Sequence, residues 1–158
     1  MINEISNAHK LYEKNGETVL NWFHVEKLGK YRVRVKVLDI RSERRQGLAL
    51  FFQEFKGKIY KNGIPLDIPK GLFKHYVFRQ EELLRDELLL EVTADSGCLV
   101  FANASNVDFD HDGFECGAMG REFWIEILAQ DRYRFHCNDN PSTKTYDHFV
   151  FDMEITDG

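Results

Sequence analysis

Asp108, Asp110 and Asp112, followed by Gly113 and Glu115, place four carboxylates within eight residues of a 158-residue chain. Like charges at that spacing repel one another unless water, an ion or a basic partner intervenes. The D-x-D-x-D-G order is that of a short loop wrapping calcium, in which glycine permits the sharp turn after three converging oxygen ligands. Asp108, Asp110, Asp112 and Glu115 are therefore the candidate metal ligands, and structural calcium is the expected cofactor. An EF-hand is disfavoured, because Met119 stands where that loop needs a bidentate glutamate and the flanks read as strands. The competing reading is a solvated turn whose Asp and Gly serve the backbone.

A second constellation lies in Glu122–Leu128, where Phe123, Ile125 and Ile127 alternate with Glu122, Trp124 and Glu126. The period of two puts Trp124 on the polar face. If Ala129-Gln130-Asp131 closes a three-residue hairpin, Trp124 faces His136, Glu126 faces Arg134, and Ile127 meets Tyr133 in the core. An aromatic ring beside carboxylate, guanidinium and imidazole groups suits stacking on a sugar. Trp124, Glu126, Arg134 and His136 are thus the candidate ligand-binding residues, against the alternative that Trp124 covers a neighbouring strand. Trp22, alternating with Leu20 and His24, reads as core.

Signatures of catalysis are scarce. There is no nucleophile elbow, zinc-binding helix, phosphate loop or dinucleotide fingerprint. Glu122 and Glu126 with Arg134 and His136 could line the cleft of a small sugar-active enzyme, but strand spacing alone does not fix the carboxylate separation such chemistry requires.

The elements that must position these groups are strands. Tyr31, Val33, Val35 and Val37 alternate with Arg32, Arg34 and Lys36, and Phe149, Phe151, Met153 and Ile155 alternate with polar residues. Lys61-Asn62-Gly63-Ile64 predicts a type I′ hairpin pairing Ile59 with Leu66, at a sheet edge because Pro65 lacks an amide donor. Gln80–Asp86 allows one helical turn, and Asp95-Ser96-Gly97 predicts a turn between two strands. Residues 1–16 allow an irregular or short helical arm. Short strands about every ten residues predict one all-β domain over 1–158, an antiparallel, jelly-roll-like sandwich of roughly eight to ten strands.

Net charge of −5 disfavours nucleic-acid phosphates. No apolar run approaches the roughly 20 residues that a membrane helix needs. With a polar start the expectation is a cytoplasmic protein, or a domain cut from a larger one. Cys98, Cys116 and Cys137, an odd set without C-x-x-C spacing, read as buried reduced thiols.

From Ile59-Tyr-Lys-Asn-Gly through Glu87-Leu-Leu-Leu-Glu-Val to Leu99-Val-Phe-Ala-Asn103 the succession of strands resembles carbohydrate-binding-module-like jelly rolls. The resemblance implies a structural calcium ion and a binding role. The expected function is a non-catalytic ligand-binding domain for carbohydrate; the alternatives are a protein-interaction or assembly module and the small sugar-active enzyme.

Overall fold

A computed structural model describes residues 10–14, 17–69, 75–106, 114–116, 121–140, 142 and 144–158. Its elements are β1 (Lys10–Lys14), β2 (Glu17–Leu20), β3 (Phe23–Val25), β4 (Gly29–Ile40), β5 (Gln46–Lys61), β6 (Ile64–Pro65), β7 (His75–Arg79), α1 (Gln80–Arg85), β8 (Leu88–Asn106), β9 (Phe114–Cys116), β10 (Arg121–Ala129), β11 (Arg132–Asp139) and β12 (Phe149–Asp157). The strands form one open antiparallel sheet in the order β1-β2-β10-β11-β12-β4-β8-β5-β6, with β3 and β9 also on β8 and β7 on β5. Among the described residues no helix is long and apolar enough to cross a membrane.

The alternating segments behave as their pattern dictates. Val33 and Val35 of β4, and Phe149, Phe151, Met153 and Ile155 of β12, enter a single apolar cluster to which β2, β3, β5, β8, β10 and β11 also contribute. Phe135 stacks on Phe151 at 4.5 Å, and Phe23 meets Tyr133 and Phe135 edge-on. The Asn62-Gly63 hairpin has positive φ at both turn residues, as type I′ requires, and the Leu66 amide donates to the Ile59 carbonyl.

Several expectations need correction. Residues 10–14 are a strand on β2 rather than a helical arm. Asp95-Ser96-Gly97 does not reverse the chain. It lies inside the 19-residue β8, whose register against β5 shifts between Gln53 and Gly57. Gly97, at φ +75°, sits against the main chain of Gln53 and Glu54, so both strands bend together as a bulge. The alternation of Leu20, Trp22 and His24 does not run through one strand, because the chain breaks at Asn21-Trp22: β2 pairs with β10, whereas β3 pairs with β8. Phe23 enters the main core, and Trp22 instead packs on the opposite face with Ala49, Ala102 and Ala104. The loop over 129–131 shortens to a two-residue turn with a bulge after Ile127, which leaves the predicted register intact. Tyr133 is buried as expected, but Ile127 is 51% exposed.

Candidate functional site

The β10–β11 register pairs Trp124 with His136 and Glu126 with Arg134, so the four predicted ligand-binding residues do share a face. Their side chains are engaged with one another and with β12. The Trp124 and His136 rings stack at 4.0 Å and 5°, and Glu126 Oε1 lies 3.1 Å from His136 Nε2. Arg134 turns to β12 and donates to both carboxylate oxygens of Asp152, at 2.8 and 3.1 Å. Further along, Arg132 pairs with Glu154 and Arg34 with Glu87. This face is a ladder of opposite charges that satisfies itself, and such exposed pairs each contribute at most about 1 kcal/mol. Trp124 has His136 on one side and Val19, fully buried, as its cross-strand neighbour on the other. The ring face stacked on His136 is closed to a ligand. Glu122 is buried, accepts from the Tyr146 hydroxyl at 2.6 Å and faces Lys144 Nζ at 3.8 Å.

Asp108, Asp110 and Asp112 lie outside the described residues. Their flanks are described: Asn106 of β8 pairs with Phe114 of β9, so the acidic stretch connects two antiparallel strands. Glu115, the fourth candidate ligand, has Oε2 3.5 Å from the buried guanidinium of Arg121. Among the described residues no group of three or more His, Cys, Asp or Glu is placed to hold a metal ion.

At this end of the sheet the core turns polar. Gln46 continues the inward phase of Leu48 and Leu50; Asn103 and Ser105 that of Leu99 and Phe101; Arg121 that of Phe123 and Ile125; Asp139 that of Phe135 and Cys137. Gln46 stands across from Ser105, and Arg121 across from Asp139. Two side-chain bonds then join these pairs: Arg121 Nε donates to Ser105 Oγ at 2.8 Å, and Gln46 Nε2 to Asp139 Oδ2 at 2.6 Å. The result is a four-membered clasp linking β5, β8, β10 and β11. Ser42 Oγ also donates to Asp139 Oδ2, and Arg44 to the Asp139 carbonyl at 2.9 Å. His148 Nδ1 accepts the Asp139 amide at 3.0 Å, which places its proton on Nε2; a proton added at Nδ1 would face Asp139 Oδ1, also 3.0 Å away. Burial pulls the Arg121 guanidinium below the ordinary arginine value, and Glu115 pushes it back.

Gln46 Nε2 donates to the Arg44 carbonyl and to Asp139, and Asn103 Nδ2 to the Asn138 carbonyl, which orients both amides; among the described residues Gln46 Oε1 and Asn103 Oδ1 are buried with no hydrogen-bond donor. Ordered water is the ordinary partner for such atoms. No nucleophile faces an imidazole here, since Asp139 separates Ser42 from His148. The cluster holds the end of the core together. Its sequence signal is the persistence of period two through polar residues at the ends of four strands.

The thiols and a core phenol bear on the response to pH. Burial pushes the Cys116 thiol up to about 11, against the opposing pull of Arg121, and pushes the Tyr133 phenol up to about 12. Cys137, wholly buried, is raised well above its ordinary value. These groups hold their protons more tightly in the folded chain, so the unfolded chain binds fewer protons once pH passes about 8.5. Their contribution to stability is complete below that pH and is lost as pH rises through the folded values. The urea midpoint should therefore fall above about pH 9, and less steeply in Cys137→Ala. A midpoint unchanged to pH 11 would contradict this burial effect.

The face opposite the core on β3, β8, β5, β7 and β9 was not legible as a site. Across it run His24, Val100, Phe51 and His75, then Ala102, Ala49 and Val77 with Trp22 at the margin, then Cys116, Ala104, Gly47 and Arg79. Arg79 is the one charged residue in these rows. Ala49, Ala102 and Ala104 are covered by the partly exposed Trp22, Phe51, Val77, Phe114 and Cys116. Phe51 meets Trp22 edge-on at 5.1 Å and stacks on His75 at 4.5 Å. A Cβ on Gly47 would come within 3.2 Å of the Phe114 ring, and the Arg79 guanidinium lies 5.5 Å from that ring's centroid. Small residues in the sheet thus let an aromatic layer lie close on its outer surface.

Comparison with protein-family models finds no match to this chain, and comparisons with curated proteins and with solved structures find none either.

Proposed function

We propose that the chain is a protein-interaction module and that its docking surface is the aromatic layer on β3, β5, β7, β8 and β9. The contrast between the two outer faces supports this reading. One carries paired opposite charges that leave a partner little to gain. The other presents the partly buried Trp22, Phe51, Val77 and Phe114 beside Arg79, the aromatic and arginine composition enriched in interface cores and hot spots. An apolar surface built on rigid strands also costs little to order on binding. The fitting partner is a protein that brings apolar side chains to Phe51 and Val77 and a carboxylate to Arg79. The carbohydrate reading is weaker, because one face of the Trp124 ring is stacked on His136.

The finer architecture we infer is a sandwich, in which the sheet folds over so that its core face meets itself. Support comes from β2 and β3, which pair with β10 and β8 across a two-residue bend, and from the clasp joining β8 to β10 and β5 to β11. A structural calcium ion in the Asp108–Asp112 connection stays a separate proposal; a melting temperature indifferent to both calcium and chelator removes it.

The interaction reading is tested by affinity capture followed by calorimetry on the protein captured. Phe51→Ala should weaken binding on the order of 30-fold, as loss of a hot spot does, while Arg132→Ala on the charged face leaves it unchanged. The reverse pattern would move the interface to the charged face and overturn the proposal.

A further inference from the structure

We infer that a second site, separate from the aromatic layer, takes the phosphate group of a small phosphorylated molecule on the outward rows of β4, β8 and β5. The strand register builds it. Lys30 of β4 pairs with Thr93 of β8, which pairs on its other side with Lys58 of β5; in the next row Arg32 pairs with Glu91, and Glu91 with Tyr60. Residues directly opposite in an antiparallel ladder leave the sheet on one side. Their neighbours Tyr31, Ile59 and Val92 point into the core, so these six point away from it. A groove of about 380 Å³ opens here, lined by Lys30, Arg32, Tyr60, Glu91 and Thr93, with Lys58 next to Thr93 at its margin. It lies beyond the Gly97 bulge, at the other end of β5 and β8 from the aromatic layer.

The ligand class follows from charge. Where the same face continues over β4, β12 and β11, Arg34, Arg132 and Arg134 each meet an acid, Glu87, Glu154 and Asp152 in turn. That balance ends at the groove. Its two rows hold the three cations Lys30, Arg32 and Lys58 against the one acid Glu91, in a chain whose net charge is −5. Cations held this close repel one another until an anion enters. Neighbouring strands lie about 4.8 Å apart, so Lys30 and Lys58 are rooted roughly 10 Å from each other and their long side chains reach one anion above the Thr93 hydroxyl. Arg32 adds a planar fork that fits phosphate oxygens. A phosphate monoester brings about two negative charges at pH 7 and three acceptor oxygens, more than a carboxylate supplies. The groove is larger than one phosphate group, and the 40% exposed Tyr60 ring offers a wall to the group that carries it. Glu91 opposes any anion, which gives the site a signed test.

Backbone NMR titration with inorganic phosphate and with phenyl phosphate, at an ionic strength held constant by sodium chloride, reads the result. Both should shift the amides of Lys30, Thr93 and Lys58, and phenyl phosphate should bind more tightly and move Tyr60 as well. Exposed side chains such as these are changed without loss of the fold. Lys30→Gln combined with Lys58→Gln should weaken phenyl phosphate binding on the order of tenfold, and Glu91→Gln should tighten it about threefold. Lys36→Gln, across from Asp152 at the other end of β4, should change nothing. Shifts spread over every exposed lysine, shifts reproduced by chloride alone, or equal weakening by Lys36→Gln would reduce the rows to a solvated cationic surface and overturn the site. Inorganic phosphate binding as tightly as phenyl phosphate would overturn the assignment to a phosphorylated molecule and leave free phosphate as the ligand.

Discussion

Asp139→Ala should destabilise the fold by about 3–5 kcal/mol, the usual consequence of removing one member of a buried, hydrogen-bonded charged group. The carboxylate is nearly inaccessible and receives Ser42 Oγ and Gln46 Nε2 on one oxygen. Truncation leaves those groups without it in a region that water reaches poorly, and the unmet donor costs more than the bond itself contributed. It also opens the clasp, because Gln46–Asp139 is one of its two bonds running between strands that are not neighbours in the sheet. Urea unfolding measures the loss, with Arg132→Ala as an exposed control expected to change stability by less than about 1 kcal/mol. A loss below about 1 kcal/mol for Asp139→Ala would mean that water substitutes freely for the carboxylate.

This network shows where a sequence reading succeeds and stops. Alternation in Tyr31–Val37, Phe123–Ile127 and Phe149–Ile155 marks the strands because an apolar residue at every second position has one economical environment. The cross-strand pairs Trp124–His136 and Glu126–Arg134 follow from the turn between them. Polar residues carry no such constraint. Asn103, Ser105 and Asp139 look like strand ends entering loops, and only their phase with Phe101 and Cys137 betrays an inward direction. Some of their partners are far away in the chain, 35 positions for Asn103 with Asn138 and 97 for Asp139 with Ser42, and no local pattern encodes a bond of that span.

Trp22 was misplaced for a related reason. Its alternation with Leu20 and His24 assigns it to the core if the strand is continuous, but the bend at Asn21-Trp22 reverses the phase and puts Phe23 inside. One irregular residue turns a core tryptophan into part of the outer aromatic layer. The proposed docking surface was therefore hidden by the same ambiguity that hid the long strands. Glycine and serine between two apolar runs fit a turn and a bulge equally, and the choice depends on what lies across the ladder.

Gly97→Ala tests that choice and should destabilise the chain by roughly 2–4 kcal/mol, from strain at positive φ together with steric overlap. Gly97 has φ +75°, and a Cβ there would lie 2.3 Å from the carbonyl carbon and oxygen of Glu54. Those atoms belong to the main chain of β5, so no side-chain rotation relieves the contact. The ladder must part where β8 and β5 bend together, next to the buried Leu99 and Phe55. Gly63→Ala separates the two contributions: Gly63 has φ +82° with nothing within 4 Å of its Cβ direction, so it suffers the backbone strain alone, about 1 kcal/mol. Thermal or urea unfolding of both variants gives the difference. If Gly97→Ala loses no more stability than Gly63→Ala, the two strands are not in close approach at the bulge, and Asp95-Ser96-Gly97 would regain its reading as an open turn.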